Sequence, residues 1–345
     1  MFYHKCLTAE NEVKTMQDSI RFTVFADLHY KKHMYAATPS AMLDPIIERA
    51  HASGSDFIVH AGDLCNDYKG SPELLSRLLD NKYALPVYGV FGNHELESSG
   101  NTLDSVTPKL TNRPVIGKNY YYFDCKGYRF VCLDTNYSLL DGEWVHNTEA
   151  SWGAPKGSEL QNSLAPEQLA WLEEVLTDAK RQELRVITVS HAEFSGFNSP
   201  SPDAGKVREL FAKVNEKRRT VVLAINGDYH TDHLYERDGV YYFDCNTVQN
   251  GYWMPQTEQH YLPGQTYAFE DYQDGKLIGT EQLDLTTLVQ AKNTWFFTKP
   301  LSAVITISGD SINIEGSETE WMYGLHPDKM VDGAKPEIES HKLHI

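Results

Sequence analysis

Five short stretches of this chain place residues able to bind metals directly after apolar segments. They are Asp27-Leu28-His29, Gly62-Asp63-Leu64-Cys65-Asn66, Gly92-Asn93-His94-Glu95, Ser190-His191 and Gly227-Asp228-Tyr229-His230. Together they offer carboxylate, imidazole and amide donors from five separate places. A mixed nitrogen and oxygen ligand set suits divalent transition metals better than calcium, which takes oxygen alone, or a thiolate zinc site.

The segments that lead into these stretches are short, apolar and rich in β-branched or aromatic residues, as strands covered on both faces tend to be. They are Phe22–Ala26, Phe57–Ala61, Val87–Phe91, Val186–Val189 and Val221–Ile225. Helical spacing separates them. Leu43, Ile46, Ile47 and Ala50 share one helix face, and so do Leu74, Leu75, Leu78 and Leu79. Pro166 opens a segment that carries Leu169, Leu172, Leu176 and Ala179 on one face, and Val207, Leu210, Phe211 and Val214 mark another helix. Strand alternating with helix implies an α/β sheet with helices on its faces. In such sheets functional groups gather beyond the carboxyl ends of the strands, which is where all five stretches lie.

Each stretch alone has a plainer explanation. Asp27-x-His29 and Gly62-Asp63 are short enough to arise by chance. Asn93 could cap a helix rather than bind a metal, and His191 and His230 could be buried, hydrogen-bonded histidines. The ordered set of five makes coincidence a poor account.

In that order the stretches resemble the calcineurin-like metallophosphoesterase family, whose signature runs D-x-H, G-D-x-x-[D/N], G-N-H-[D/E], a lone His, then G-H-x-H. The resemblance covers Arg21 to about Val248. It implies a βαβαβ sandwich of two mixed sheets flanked by helices, with a two-metal centre between the layers. Carried over by residue, Asp27, His29 and His230 would hold one metal and Asp63 would bridge. Asn93, His191 and Asp228 would hold the other. One position departs: the family's last motif opens with His, and here Asp228 stands there. A carboxylate lowers the net charge of the site and shifts preference toward Mn²⁺, Fe or Mg²⁺ relative to zinc. Asp232 and His233 are the alternatives for completing that second ligand set. Asn66, in place of the commoner Asp, suggests a turn-stabilising role.

The reaction implied is hydrolysis of phosphate mono- or diesters. Two cations ~3.5–4 Å apart can lower the pKa of a bridging water and clamp the attacking and leaving oxygens. Hydroxide would attack phosphorus in line, Asn93 and His94 would contact the substrate, and His94 would protonate the leaving oxygen. Glu95 or another nearby carboxylate would orient His94. The competing class is a non-catalytic metal-binding or interaction module that keeps the fold.

Composition narrows the substrate. Formal charge is −17, so a basic surface for long nucleic acids is not expected, although a nucleotide-sized phosphate ester is compatible with local metal charge. No run approaches the ~20 apolar residues of a membrane helix. The five cysteines (Cys6, Cys65, Cys125, Cys132 and Cys245) are odd in number and lack a C-x-x-C pair, which favours reduced thiols and a cytoplasmic setting.

The chain reads as a lead segment over 1–20, a main domain over 21–285, and a small C-terminal β extension over 286–345. Lys126-Gly127 signals a hairpin, and Ala303–Ile307 with Ser311–Glu315 signals a second around Ser308-Gly309-Asp310. The stretch from Ser138 to Leu164 lacks periodicity and reads as a long loop, and the last dozen residues read as loose. Tyr252, Trp253 and Trp321 could stack on a base or simply pack. Tyr30 and His33 could line the substrate mouth, with solvent exposure as the default expectation.

Overall fold

The computed structural model describes residues 19–68, 71–97, 100–149, 154–197, 200–249, 252–253 and 259–345. The lead segment up to residue 18, with Cys6, lies outside them.

Two mixed sheets face each other. The first has six strands in the order His341–His344, Ser311–Glu315, Ala303–Ser308, Ile20–Phe25, Phe57–His60 and Val87–Gly89. Its last three strands are parallel, and Ile20–Phe25 pairs antiparallel with Ala303–Ser308. The second has seven strands, with His233–Arg237 and Ile116–Gly117 at its edges. At its centre Val240–Asp244, Val221–Asn226, Arg185–Val189 and Tyr128–Cys132 run parallel. The fold is therefore the α/β sandwich that the alternation of strand and helix implies.

Aromatic side chains join the layers. Phe22 and Phe57 of the first sheet meet Phe130 of the second edge to face at 5.1 and 4.9 Å between ring centroids, and Phe123 stacks on Phe130 at 5.0 Å. Such pairs add ~0.5–1.5 kcal/mol each beyond the area they bury. Helices cover the outer faces. Pro39–Ala52 begins at Thr38, whose hydroxyl accepts from the Ala41 N–H, and buries Leu43, Ile46, Ile47 and Ala50. Pro166–Arg181 and Ala204–Asn215 bury Leu172, Leu176, Val207 and Phe211 against the second sheet. Among the described residues no helix is long and apolar enough to cross a membrane.

Three regions differ from expectation. Ser138–Leu164, read as a loop, holds much of a small antiparallel sheet made of Glu143–His146, Tyr137–Leu140 and Leu160–Ser163. Polar pairs rather than apolar periodicity anchor it: Ser138 Oγ donates to Asn147 Oδ1 at 2.7 Å, and His146 Nε2 meets the buried Asp134 Oδ2 at 2.9 Å. The final residues, read as loose, supply an edge strand, because His341–His344 pairs with the outer strand of the expected hairpin. The hairpin itself forms, and it extends the first sheet rather than standing apart. A long ribbon, Thr266–Gln273 with Lys276–Asp284, was not foreseen. Its second strand is largely exposed and shows no apolar alternation to betray it.

Candidate metal centre

The five stretches converge beyond the strand ends. Past Ile20–Phe25 and Phe57–His60 the chain keeps its parallel pairing: the Asp27 N–H donates to Gly62 O at 3.1 Å and the His29 N–H to Asp63 O at 2.9 Å. On the other sheet the Gly227 N–H donates to His191 O at 3.1 Å. Two contacts tie the layers together at the site. Thr247 Oγ1 donates to Asp27 O at 2.7 Å, and the Asp228 N–H reaches the Asp27 carboxylate at 3.1 Å.

Backbone strain concentrates here. Asp27, His29, Asp63, Asp228 and His230 all have positive φ, between 49° and 72°. Asp and His tolerate this left-handed region better than most residues, and such outliers persist where surrounding structure enforces them. Two glycines make the close approach possible. A Cβ on Gly92 would stand 2.0 Å from Asp63 Oδ1, and one on Gly62 would stand 2.4 Å from His191 Nδ1.

The donor atoms gather in three overlapping groups: Asp27, His29 and His230; His29, Asp63 and His94; and Asp27, Asp63 and His191. Within each group they lie within 4.8 Å of one another. Ligands around one ion at bond lengths of ~2.0–2.2 Å are separated by ~3.0–3.5 Å. The observed His29 Nε2–His230 Nε2 distance is 3.0 Å, His230 Nε2–Asp27 Oδ1 3.5 Å and His191 Nε2–Asp63 Oδ2 3.2 Å. His191 Nδ1–H donates to Ala61 O at 2.8 Å, which leaves Nε2 facing Asp63 and Asp228. That nitrogen is buried without a well-formed hydrogen bond. The residues fit divalent metal ions.

The charges at the centre are mutually dependent. Burial works against ionisation of Asp63, but His191, His94 and His29 around it outweigh that effect and hold its carboxyl well below the usual range. Burial keeps His29 well below the ordinary imidazole value and pushes Asp27 up. Burial also opposes a proton on His191, yet Asp63 and Asp228 hold it there and move the pKa well above the ordinary value. For His94 the same opposition is overcome by Asp63 and Glu97, and its pKa is pushed up to about 9. Protons or cations can supply this compensating charge, and an imidazole must be neutral to bind a metal.

Asp228, the departing residue, stands with its Oδ1 3.4 Å from His191 Nε2. Asp232 and His233 turn elsewhere. Asp232 Oδ2 accepts from the Glu339 N–H at 2.8 Å and faces Lys335, while His233 Nε2 meets Asp332 at 3.3 Å. They anchor the C-terminal segment. Asn93 precedes a short 3-10 turn, His94–Leu96, and its side chain does not cap that turn. Tyr30, expected at the surface, is buried, with its hydroxyl on Glu73. His33 is exposed and pairs with Glu281. Trp321 packs on Phe297 with ring centroids 4.9 Å apart, and the side chains of Tyr252 and Trp253 lie outside the described residues.

Two carboxylates follow His94 and do different things. Glu95 is buried and accepts the N–H groups of Gly92, Asp63 and Cys65 at 2.6, 3.2 and 3.1 Å. Burial, with Asp63 nearby, pushes its pKa up to about 8. Glu97 instead meets His94 Nδ1 at 2.5 Å. Asn66 lies between the histidines, with Oδ1 3.2 Å from His29 Nδ1 and Nδ2 2.9 Å from His94 Nδ1. The i, i+3 spacing of His94 and Glu97 was a signal in the sequence; Asn66's contact with two histidines was not.

The family model for calcineurin-like phosphoesterases matches residues 20–232. The chain belongs to that family, one of metal-dependent phosphoric ester hydrolases. It is 25% identical, over a 173-residue alignment, to the manganese-dependent ADP-ribose/CDP-alcohol diphosphatase of Bos taurus. That alignment covers 39% of this chain and 51% of the bovine protein, so the chain spans about half the length of that relative. A dimetal phosphatase from Danio rerio shares the fold, with a TM-score of 0.53 at 14% identity over 88% of this chain and 98% of that one.

Proposed function

We propose that the protein hydrolyses small phosphate esters or anhydrides of the nucleotide kind at a centre of two divalent cations. The observation that carries this reading is the meeting of Asp27, His29, Asp63, His191 and His230 at ligand spacing on facing strand ends. Asp27, His29, Asp63 and His230, with Asn93, His191 and Asp228, are the residues that would hold the two cations. When bound, the cations supply the positive charge that draws phosphoryl oxygens and lowers the pKa of a coordinated water. Asn93 and His94 contact the phosphoryl group, and His94 gives a proton from Nε2 to the leaving oxygen. His94 suits this role because its Nδ1 faces Glu97 while its Nε2 lies 3.8 Å from Asp63 Oδ2, at the site itself. The bovine relative, named for ADP-ribose and CDP-alcohols, supports a substrate with a nucleoside attached to the phosphate. The formal charge of −17 supports a small substrate over a nucleic-acid polymer.

The test compares bis-(p-nitrophenyl) phosphate, p-nitrophenyl phosphate and ADP-ribose with Mn²⁺, Fe²⁺, Zn²⁺ and Mg²⁺. Metal-dependent turnover is expected, with His94→Asn lowering kcat by ~100-fold or more on a poor leaving group while metal content is kept. A protein that binds no metal and turns over none of these substrates contradicts the proposal.

A further inference from the structure

We infer that Glu97 is the positioning residue of His94, an inference that rests on the reading of His94 as proton donor. The sequence left two candidates for this work, Glu95 and an unnamed carboxylate nearby. Glu95 is occupied: its two oxygens take three backbone N–H groups from the segments that carry Asp63 and Asn93. It holds the loops in register and leaves the imidazole to another group.

Glu97 is the C-cap of the 3-10 turn that begins at His94, and side chains three residues apart on such a turn eclipse. Its Oε1 is 2.5 Å from His94 Nδ1, and both side chains are largely buried, 14% exposed for His94 and 10% for Glu97. The Asn66 amide steadies the pair from the other side, with Nδ2 3.4 Å from Glu97 Oε2. The stretch Gly62–Asn66 thus ends in a neutral amide, and the carboxylate for His94 comes from its own turn. Asn66 Nδ2 also stands 2.9 Å from Nδ1, but the closer Glu97 carboxylate, which accepts only, draws the Nδ1 proton to its side, and the ring is held so that Nε2 points toward Asp63. The histidine backbone is fixed as well, since its N–H donates to Asp63 Oδ1 at 2.9 Å.

The experiment measures kcat and KM of the metal-loaded protein on a series of phosphate esters running from p-nitrophenyl to alkyl leaving groups. It uses wild type, Glu97→Ala, Glu97→Gln, His94→Asn and the Glu97→Ala/His94→Asn double variant, with metal content measured for each. Glu97→Ala should lower kcat on the alkyl ester by about 10–100-fold, several times more than on the aryl ester, with KM and metal content held. Glu97→Gln, whose amide oxygen still accepts from Nδ1–H, should recover most of that loss. The double variant should be no slower than His94→Asn alone. Equal slowing on good and poor leaving groups, a loss that adds to that of His94→Asn, or a fall in metal content would overturn the assignment. A wild type inactive on the whole series overturns the hydrolase reading itself, a result distinct from failure of the Glu97 variants alone.

Discussion

The two sides of the proposed centre are unequally exposed. Asp27, His29 and His230 are 0, 1 and 9% exposed, and their segments are braced from both sheets. On the other side Asp228 keeps a side chain that is 29% exposed, and Asn93 is partly open. Burial favours the neutral imidazole at His29, so ligand geometry there is ready for a cation. His191 holds a proton against burial because Asp63 and Asp228 face it. Under the proposed ligand assignment, the Asp27, His29 and His230 side is closed to solvent and the Asp228 side is the one solvent reaches.

Removing one carboxylate from each half sharpens this contrast most. Asp27→Ala deletes a donor of the closed half and also the acceptor of the Asp228 N–H, so both halves should suffer. Metal content after dialysis should fall below about one ion per chain, and kcat should drop by more than ~100-fold, beyond the usual range for outer-sphere changes. Asp228→Ala should keep the closed-half ion and weaken the other by ~10–100-fold, with a loss of kcat that added metal partly restores. Equal metal loss in the two variants would break the comparison. The smallest effect concerns the C-terminal anchor beside His230. Lys335 faces Asp232 at 3.2 Å with a quarter of its side chain exposed, so Lys335→Ala should cost only ~0.5–1 kcal/mol in denaturant unfolding. Metal affinity should be unchanged, and a clear fall would assign the anchor a role in holding His230.

The convergence of the five stretches was visible in the sequence because the candidate ligands follow apolar strands and come in order. Buried strands such as Phe57–His60 and Val221–Asn226 announced themselves through β-branched residues, and the helix from Pro166 through its proline and apolar face. The elements that escaped notice are held by other forces. The Tyr137–Ser163 sheet rests on buried polar pairs such as His146 with Asp134, which leave no periodic trace. The edge strand His341–His344 depends on a partner strand for its pairing rather than on its own pattern. The left-handed φ of Asp27, His29 and Asp63 was likewise unreadable, because it is imposed by segments distant in the chain. The same is true of the division of labour between Glu95 and Glu97, which only the arrangement of N–H groups around Glu95 decides.

Acid release of bound metal tests the inequality of the halves most directly. Protons compete with metals for imidazole. Asp228 keeps a side chain that is 29% exposed, whereas Asp27, His29 and His230 are closed to solvent, so protons should reach the ligands on the Asp228 side first. Titrating the metal-loaded protein downward from pH 8 while counting released ions should therefore show two steps. The ion on the Asp228 side should leave at clearly higher pH than the ion held by Asp27, His29 and His230. Asp228→Ala should move the earlier step to higher pH and leave the later one in place. Release of all metal in a single step, unchanged by Asp228→Ala, would contradict the account.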